Sequence, residues 1–300
     1  MKTETINSSP NAQAKSMVGK VVLITGATSG IGLSTSRALA EKGARLVIVG
    51  RDLEKITSAV NNIREEVKNS DIDTLLADLS SLDEVRDLTN EFKNRYDRLD
   101  VLINNAGAIF FTRVLTIDGY EKTFALNHLS NFLLTNLLLD KIILTARNTG
   151  EARIVNVSSD AHRGGKIYFD DLMFEQRRYG IGGWRAYNQS KLANILFTFE
   201  LARRLGETNV SVNALHPGFV ASNLGKNNGL LGKMGMKLAQ IFATTPEIGA
   251  QTSIYLASWP DVKGMTGKYF TKCQEVPADP AAYNLETARK LWDISEELVG

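Results

Sequence analysis

Three hundred residues with 43% hydrophobic content suit one large α/β domain or two smaller ones and exclude a small stapled module. The formal charge of +2, spread without an obvious basic tract, argues against nucleic acid as a partner. The single cysteine, Cys273, leaves no intrachain disulfide and agrees with a reducing compartment.

Residues 1–17 are polar and rich in Ser, Asn and Thr, and are expected to be a disordered leader; they carry neither a signal peptide nor a transit sequence. No window approaches the ~18 uninterrupted apolar residues that a membrane helix requires. The most apolar helical stretch, Phe124 to Ala146, is broken by Asn127, His128, Asn131, Asn136, Asp140 and Lys141. The expectation is a protein without an integral membrane segment, located in the cytoplasm.

Val21 to Ile24 is a continuous apolar, mostly β-branched run, the mark of a strand covered on both faces. Thr25-Gly26-Ala27-Thr28-Ser29-Gly30-Ile31-Gly32 follows at once, and a helical pattern runs on from about Ile31 to Lys42. In that context Gly26 permits a tight turn, Gly30 lets backbone approach a pyrophosphate, and Gly32 lets helix pack on strand. The helix N-terminus then offers free amides and a positive dipole end to phosphate. Some glycine-rich turns of this kind bind nothing.

The second strand, Arg45 to Val49, ends in Gly50-Arg51-Asp52. An acidic residue at that place would take the ribose hydroxyl of NAD, whereas arginine suits the 2′-phosphate of NADP. Arg51 favours NADP, and Asp52 is read as the cap of the next helix; Asp52 on the ribose, with NAD preferred, is the alternative. A helix over Leu53 to Lys68, a strand over Asp73 to Ala77 ending in Asp78-Leu79, a helix over Leu82 to Tyr96 and a strand over Leu99 to Ile103 complete the first half. Asp78 could accept from an adenine amino group, and the small Ala106-Gly107 pair could lie against the adenosine half. Strands alternating with helices at this spacing predict a doubly wound, mostly parallel sheet of about seven strands with helices on both faces.

In the second half Asn127 sits inside the long apolar helix, where an amide needs partners. Arg153 to Val157 reads as a buried strand delivering Ser158 and Ser159 at its carboxyl end, the edge where parallel sheets hold ligands. Tyr187 and Lys191, four apart at the start of a long helix, share one face. A cation near a phenol favours its phenolate, so the two form a candidate acid/base pair. A strand over Val210 to Ala214 then leads to His216-Pro217-Gly218. His128, His162 and His216 have no metal-ligand spacing with one another or with Cys273, so no metal is expected.

Taken together, Thr25-Gly26-xxx-Gly30-x-Gly32, Asn104-Asn105-Ala106-Gly107, Asn127, Ser159, Tyr187-xxx-Lys191 and Pro217-Gly218 resemble the short-chain dehydrogenase/reductase family in content and order, over residues 18–300. Arg153 to His162, Ser190 to Phe197, Thr266 to Phe270 and Glu286 to Trp292 are most similar to its retinol dehydrogenase-like branch. The resemblance implies a single-domain Rossmann fold and hydride transfer between NADP and an alcohol/carbonyl pair. Tyr187 would pass the proton, Ser159 (or, as runner-up, Ser158) would bond the substrate oxygen, and Lys191 would hold the nicotinamide ribose and lower the Tyr187 pKa. Asn127 would hold a water that joins Lys191 to solvent. The implied cofactor contacts add Ser29, Ile31, Leu79, Asn105, Val220 and Ser222 to Gly26, Gly30, Gly32, Arg51, Asp78, Ala106, Gly107, Tyr187, Lys191, Pro217 and Gly218.

Residues 219–242, rich in Leu, Met and Gly, are expected to be a lid over an apolar aldehyde, ketone or alcohol. The segment 160–184 is read as a substrate-side wall, an oligomer contact or a solvated surface. The helices of Asn127 and Tyr187 form the family's usual assembly surfaces, pointing to a homodimer or homotetramer with a monomer left open. Two other functions compete: a dinucleotide-binding sensor without turnover, and a reductase of another substrate such as an activated C=C bond.

Overall fold

A computed structural model describes residues 16–180, 183–219 and 244–300. The strands are β1 (Val21–Thr25), β2 (Arg45–Gly50), β3 (Ile72–Leu76), β4 (Val101–Asn104), β5 (Ala152–Val157), β6 (Val210–His216), β7 (Lys268–Thr271) and β8 (Gln274–Glu275). They form one sheet in the order β3-β2-β1-β4-β5-β6-β7-β8, parallel except for β8, which pairs antiparallel with β7. The expected doubly wound sheet is there, with an eighth strand beyond the seven expected; two exposed residues carry too little pattern to announce a strand.

The helices among the described residues are α1 (Gly30–Glu41), α2 (Leu53–Glu66), α3 (Leu82–Arg95), α4 (Lys122–Thr149), α5 (Trp184–Leu205), α6 (Pro246–Ser258) and α7 (Leu285–Val299). Strand residues alternate between two cores. Val21, Leu23, Leu102 and Ile154 pack with side chains of α3, α4, α5 and α7. Val22, Ile24, Ile103 and Val155 pack with α1, α2 and α6. Because both faces are covered, the strands read as continuous apolar runs. Met17 is buried in the second core and its N–H donates to Lys42 O at 3.0 Å, so the fold begins before the expected end of the leader at residue 17.

Strand order reverses between β1 and β4, which opens the ligand crevice at their carboxyl ends. Three of the quoted motifs end there: the glycine turn after β1, Asn104 to Gly107 after β4, and Ser158-Ser159 one strand away after β5. Helix α4 is not uniform. Residues Ala125–Leu129 form a π-helical turn in which Ser130 N–H reaches back to Ala125 O, and Asn127 sits at its centre.

Helix α4 is also long and apolar enough to cross a membrane by length and composition, but most of its apolar stretch is buried between β4, α3 and α7. Helix α7 lies over α4 and α5: Trp292 packs on Phe132 and Phe197, and His128 Nε2 meets Ser295 Oγ at 2.9 Å. Helix α7 thus covers part of each of the two helices expected to serve assembly.

Candidate active site

The glycine turn is shaped by contacts with the β4 end. A Cβ on Gly26 (φ +65°) would come within 2.9 Å of Ala106 Cα, and one on Gly32 within 2.3 Å of Gly26 O, so neither position admits a side chain without backbone movement. Gly30 differs: φ is +55°, yet a Cβ there would meet nothing within 4 Å, so open space lies before the first turn of α1. Ser29 is the extended N-cap residue of that helix.

Asn105 acts as a fastener. Its Nδ2 donates to Thr25 O at 2.8 Å and Gly26 O at 3.1 Å, while Asn105 N–H and Ala106 N–H both donate to Thr25 Oγ1 at 3.0 Å. The Asn105 amide nitrogen and backbone N–H are thus both committed to the turn. Leu79 is buried in the core with Ala77 and Leu82.

At the end of β2, Asp52 caps α2 by accepting from Lys55 N at 3.1 Å. The Asp78 carboxylate accepts from Ser80 N at 3.0 Å and Ser80 Oγ at 2.8 Å, and its other oxygen lies 3.7 Å from Arg51 Nη1. Arg51 and Asp78, expected to hold different parts of a nucleotide, thus face each other. A long, half-exposed pair of this kind is worth at most about 1 kcal/mol, little to set against a phosphate.

On the other side of the crevice, the Ser159 hydroxyl accepts from Ala161 N at 3.2 Å, capping the short 3-10 turn Asp160–Gly164, and stands near enough to the Tyr187 phenol to draw its pKa down. Ser158 is buried and donates to Lys191 O at 2.8 Å, so the runner-up serine is spent on packing α5. Lys191 Nζ donates to Val157 O at 3.0 Å and lies 5.6 Å from the Tyr187 ring centroid. A Cβ on Gly107 would come within 3.2 Å of Asn127 Oδ1 and 3.3 Å of Lys191 Nζ, so Gly107 permits the approach of β4's end to both.

Burial pushes the Tyr187 phenol up to about 12, with the Ser159 hydrogen bond pulling the other way, and pushes the Lys191 ammonium down to about 8. Desolvation is the first cause of both shifts.

Asn127 has close protein partners. Its Oδ1 accepts from Ala108 N at 2.9 Å, and its Nδ2 donates to Ala108 O at 3.0 Å and Ser190 Oγ at 2.9 Å. Ser190 Oγ in turn donates to Tyr187 O at 2.8 Å. The side chain clamps the strand-end segment to the first turn of α5.

Gln189 and Glu121 were not singled out from sequence as fasteners, and His162 was read there as no metal ligand. Gln189 accepts from Tyr168 N at 3.0 Å and donates to Leu172 O at 2.9 Å, gripping the segment between β5 and α5. The buried Glu121 takes the Tyr179 hydroxyl at 2.7 Å and caps the start of α4. His162 Nδ1 donates to Ser159 O at 2.7 Å while Nε2 accepts from Asp279 N at 3.0 Å, so both nitrogens of the neutral ring are used and burial holds its pKa down. Their common signal was weak: each is a polar side chain in an apolar setting.

Pro217 and Gly218 (φ +87°) follow β6 at the same carboxyl edge. Val220, Ser222 and all but Phe219 of the expected lid lie outside the described residues. Phe219 O accepts from Thr244 N at 2.8 Å and Thr244 Oγ1 at 3.0 Å, so the chain on the two sides of that stretch meets. Among the described residues no cluster of His, Cys, Asp or Glu could hold a metal ion.

The family model for the short chain dehydrogenases matches residues 20–169 and 175–230. This chain belongs to that family. Human retinol dehydrogenase 14 is 46% identical over 95% of the chain and 87% of its own length, and human retinol dehydrogenase 12 is 45% identical over 94% and 87%. A chloroplastic short-chain dehydrogenase of Brassica napus, TIC 32 B, is 42% identical over 92% and 88%. Among solved structures, an uncharacterized protein of Mycobacterium paratuberculosis superposes with a TM-score of 0.76 at 34% identity, covering 96% of each chain. The active-site complex of Pseudomonas aeruginosa RhlG with NADP gives 0.67 at 27% identity, over 86% of this chain and 96% of that one. The short-chain dehydrogenase described here is thus an oxidoreductase of the retinol dehydrogenase-like branch, using a nicotinamide dinucleotide.

Proposed function

We propose that this short-chain dehydrogenase reduces an apolar aldehyde or ketone with NADPH, or oxidises the matching alcohol in reverse. The observation that carries the reading is the convergence of three groups at the carboxyl edge of β5: Ser159 on the turn that follows the strand, the buried Tyr187 phenol, and the Lys191 ammonium 5.6 Å from its ring. Ser159 would orient the substrate oxygen. Tyr187, protonated at neutral pH, would donate the proton as the carbonyl becomes an alkoxide. Lys191 supplies positive charge in a desolvated setting, where it acts most strongly on a developing anion.

The glycine turn fits a dinucleotide: the space over Gly30 and the N-terminus of α1 would take the pyrophosphate, and Lys191 the nicotinamide ribose. Bound NADPH supplies the hydride. Arg51 is the group that would meet a 2′-phosphate, and the use of Asp52 as a helix cap removes the acidic residue that would favour NAD. The relatives named retinol dehydrogenases support an apolar substrate. The single cysteine and the lack of charge bias make the cytoplasm the first location to test.

The test is reduction of a panel of hydrophobic aldehydes and ketones, followed by loss of NADPH absorbance. Tyr187→Phe is expected to lower kcat at least about a thousandfold while NADPH still binds. Retained turnover in that variant removes Tyr187 from its role.

A further inference from the structure

At the mouth of the site one large side chain has no structural work that accounts for its exposure. Trp184, the first residue of α5, is 52% exposed, although a tryptophan normally covers most of its area. Its ring stands edge-to-face against Tyr187, with centroids 5.7 Å apart and planes at 82°. Its place is closely determined. Gly183 (φ +71°) lies so near the segment after β4 that a Cβ would fall 1.9 Å from Phe110 O. The chain before α5 and the chain after β4 therefore touch through bare backbone, and the indole is set between that contact and the catalytic phenol. Phe219, 58% exposed just after Pro217-Gly218, adds a second uncovered aromatic ring at the carboxyl edge of the sheet.

We propose that Trp184 is a specificity-determining residue: its uncovered indole is a stacking platform for a flat, conjugated or aromatic portion of the substrate adjoining the carbonyl carbon. This rests on the carbonyl-reductase reading and narrows its substrate class. A rigid planar group gains most on such a surface because it loses little rotational freedom in stacking. A flexible alkyl chain gains less.

The experiment compares 2-naphthaldehyde with hexanal as substrates for the full chain and for Trp184→Ala and Trp184→Phe. The ratio of kcat/KM for naphthaldehyde over hexanal is expected to fall about tenfold in Trp184→Ala, chiefly through KM, and to recover in part in Trp184→Phe. An unchanged ratio overturns the proposal. A second readout needs no turnover: with NADP+ present, 2-naphthaldehyde should quench tryptophan emission saturably, and Trp184→Phe should lose most of that quenching although Trp259 and Trp292 remain. Equal quenching in both proteins overturns the platform. If the unaltered chain reduces neither aldehyde, the carbonyl-reductase reading fails, and the quenching comparison still decides the placement of Trp184.

Discussion

The two sides of the crevice are built on opposite plans. On the β1–β3 side the quoted side chains are turned inward or toward each other: Asn105 fastens the turn, Asp52 caps α2, and Asp78 is taken up by Ser80 and Arg51. Apart from Arg51, what that side offers a ligand is backbone, made approachable by residues without a Cβ. On the β5–β6 side Tyr187 and Lys191 are desolvated beside Ser159, and their protonation is displaced by burial. One side therefore depends on what is missing from a residue, the other on what a residue carries. Substitutions should fail differently on the two sides: by adding atoms to the first, by removing them from the second.

The sharpest way to break this contrast is Gly32→Ala. A methyl placed 2.3 Å from Gly26 O and 2.6 Å from Asn105 Nδ2 forces the turn open, and urea unfolding should show a loss of about 3 kcal/mol together with lost NADPH binding. Gly30→Ala, with open space around its Cβ, should cost the fold only about 1 kcal/mol of backbone strain and act mainly on NADPH affinity. Equal stability losses in the two variants would dissolve the distinction drawn for this turn.

Of intermediate size is a pH effect on the other side. Lys191 is charged below its displaced pKa of about 8 and neutral above it. The kcat/KM for carbonyl reduction should therefore be level to near pH 7 and decline above pH 8, approaching a tenfold loss per unit. Lys191→Arg, which keeps its charge, should move that limb upward. A profile level to pH 10 in the unaltered enzyme would show that the ammonium does not govern the step.

Smallest is Arg51→Ala. Removing an exposed cation that already faces Asp78 should reduce the preference for NADPH over NADH about fivefold, roughly 1 kcal/mol, measured as the ratio of the two KM values. No change in that ratio would move the discriminating contact elsewhere.

The parts of the molecule that could be read in advance are those where a local pattern has one physical cause. Val21 to Thr25 and Ala152 to Val157 are buried on both faces, and the apolar run Val21 to Ile24 and the apolar pairs of the second strand say so. The glycine positions announce themselves because only glycine tolerates those approaches. Partnerships set by tertiary distance were hidden. The spacing of Tyr187 and Lys191 places them together but does not disclose that both are stripped of water, which is what displaces their protonation. Nothing near Asn127 in sequence points to Ala108 and Ser190, which consume its amide. The choice between Ser158 and Ser159 turned on which hydroxyl Lys191 O already occupied, a fact of packing alone.

The π-helical turn at Ala125–Leu129 has a consequence for register. One residue more than an α-helical turn requires is accommodated there, and each residue of a helix advances the azimuth by about 100°. The Thr123 and Phe124 end of α4 and the run from Phe132 to Ala146 are thereby phased independently of each other, so each presents its own apolar side to the core while Asn127 alone looks across to Ser190. Deleting a single residue within the turn would restore a regular ladder of hydrogen bonds and, in doing so, rotate one of those two halves out of phase with the sheet.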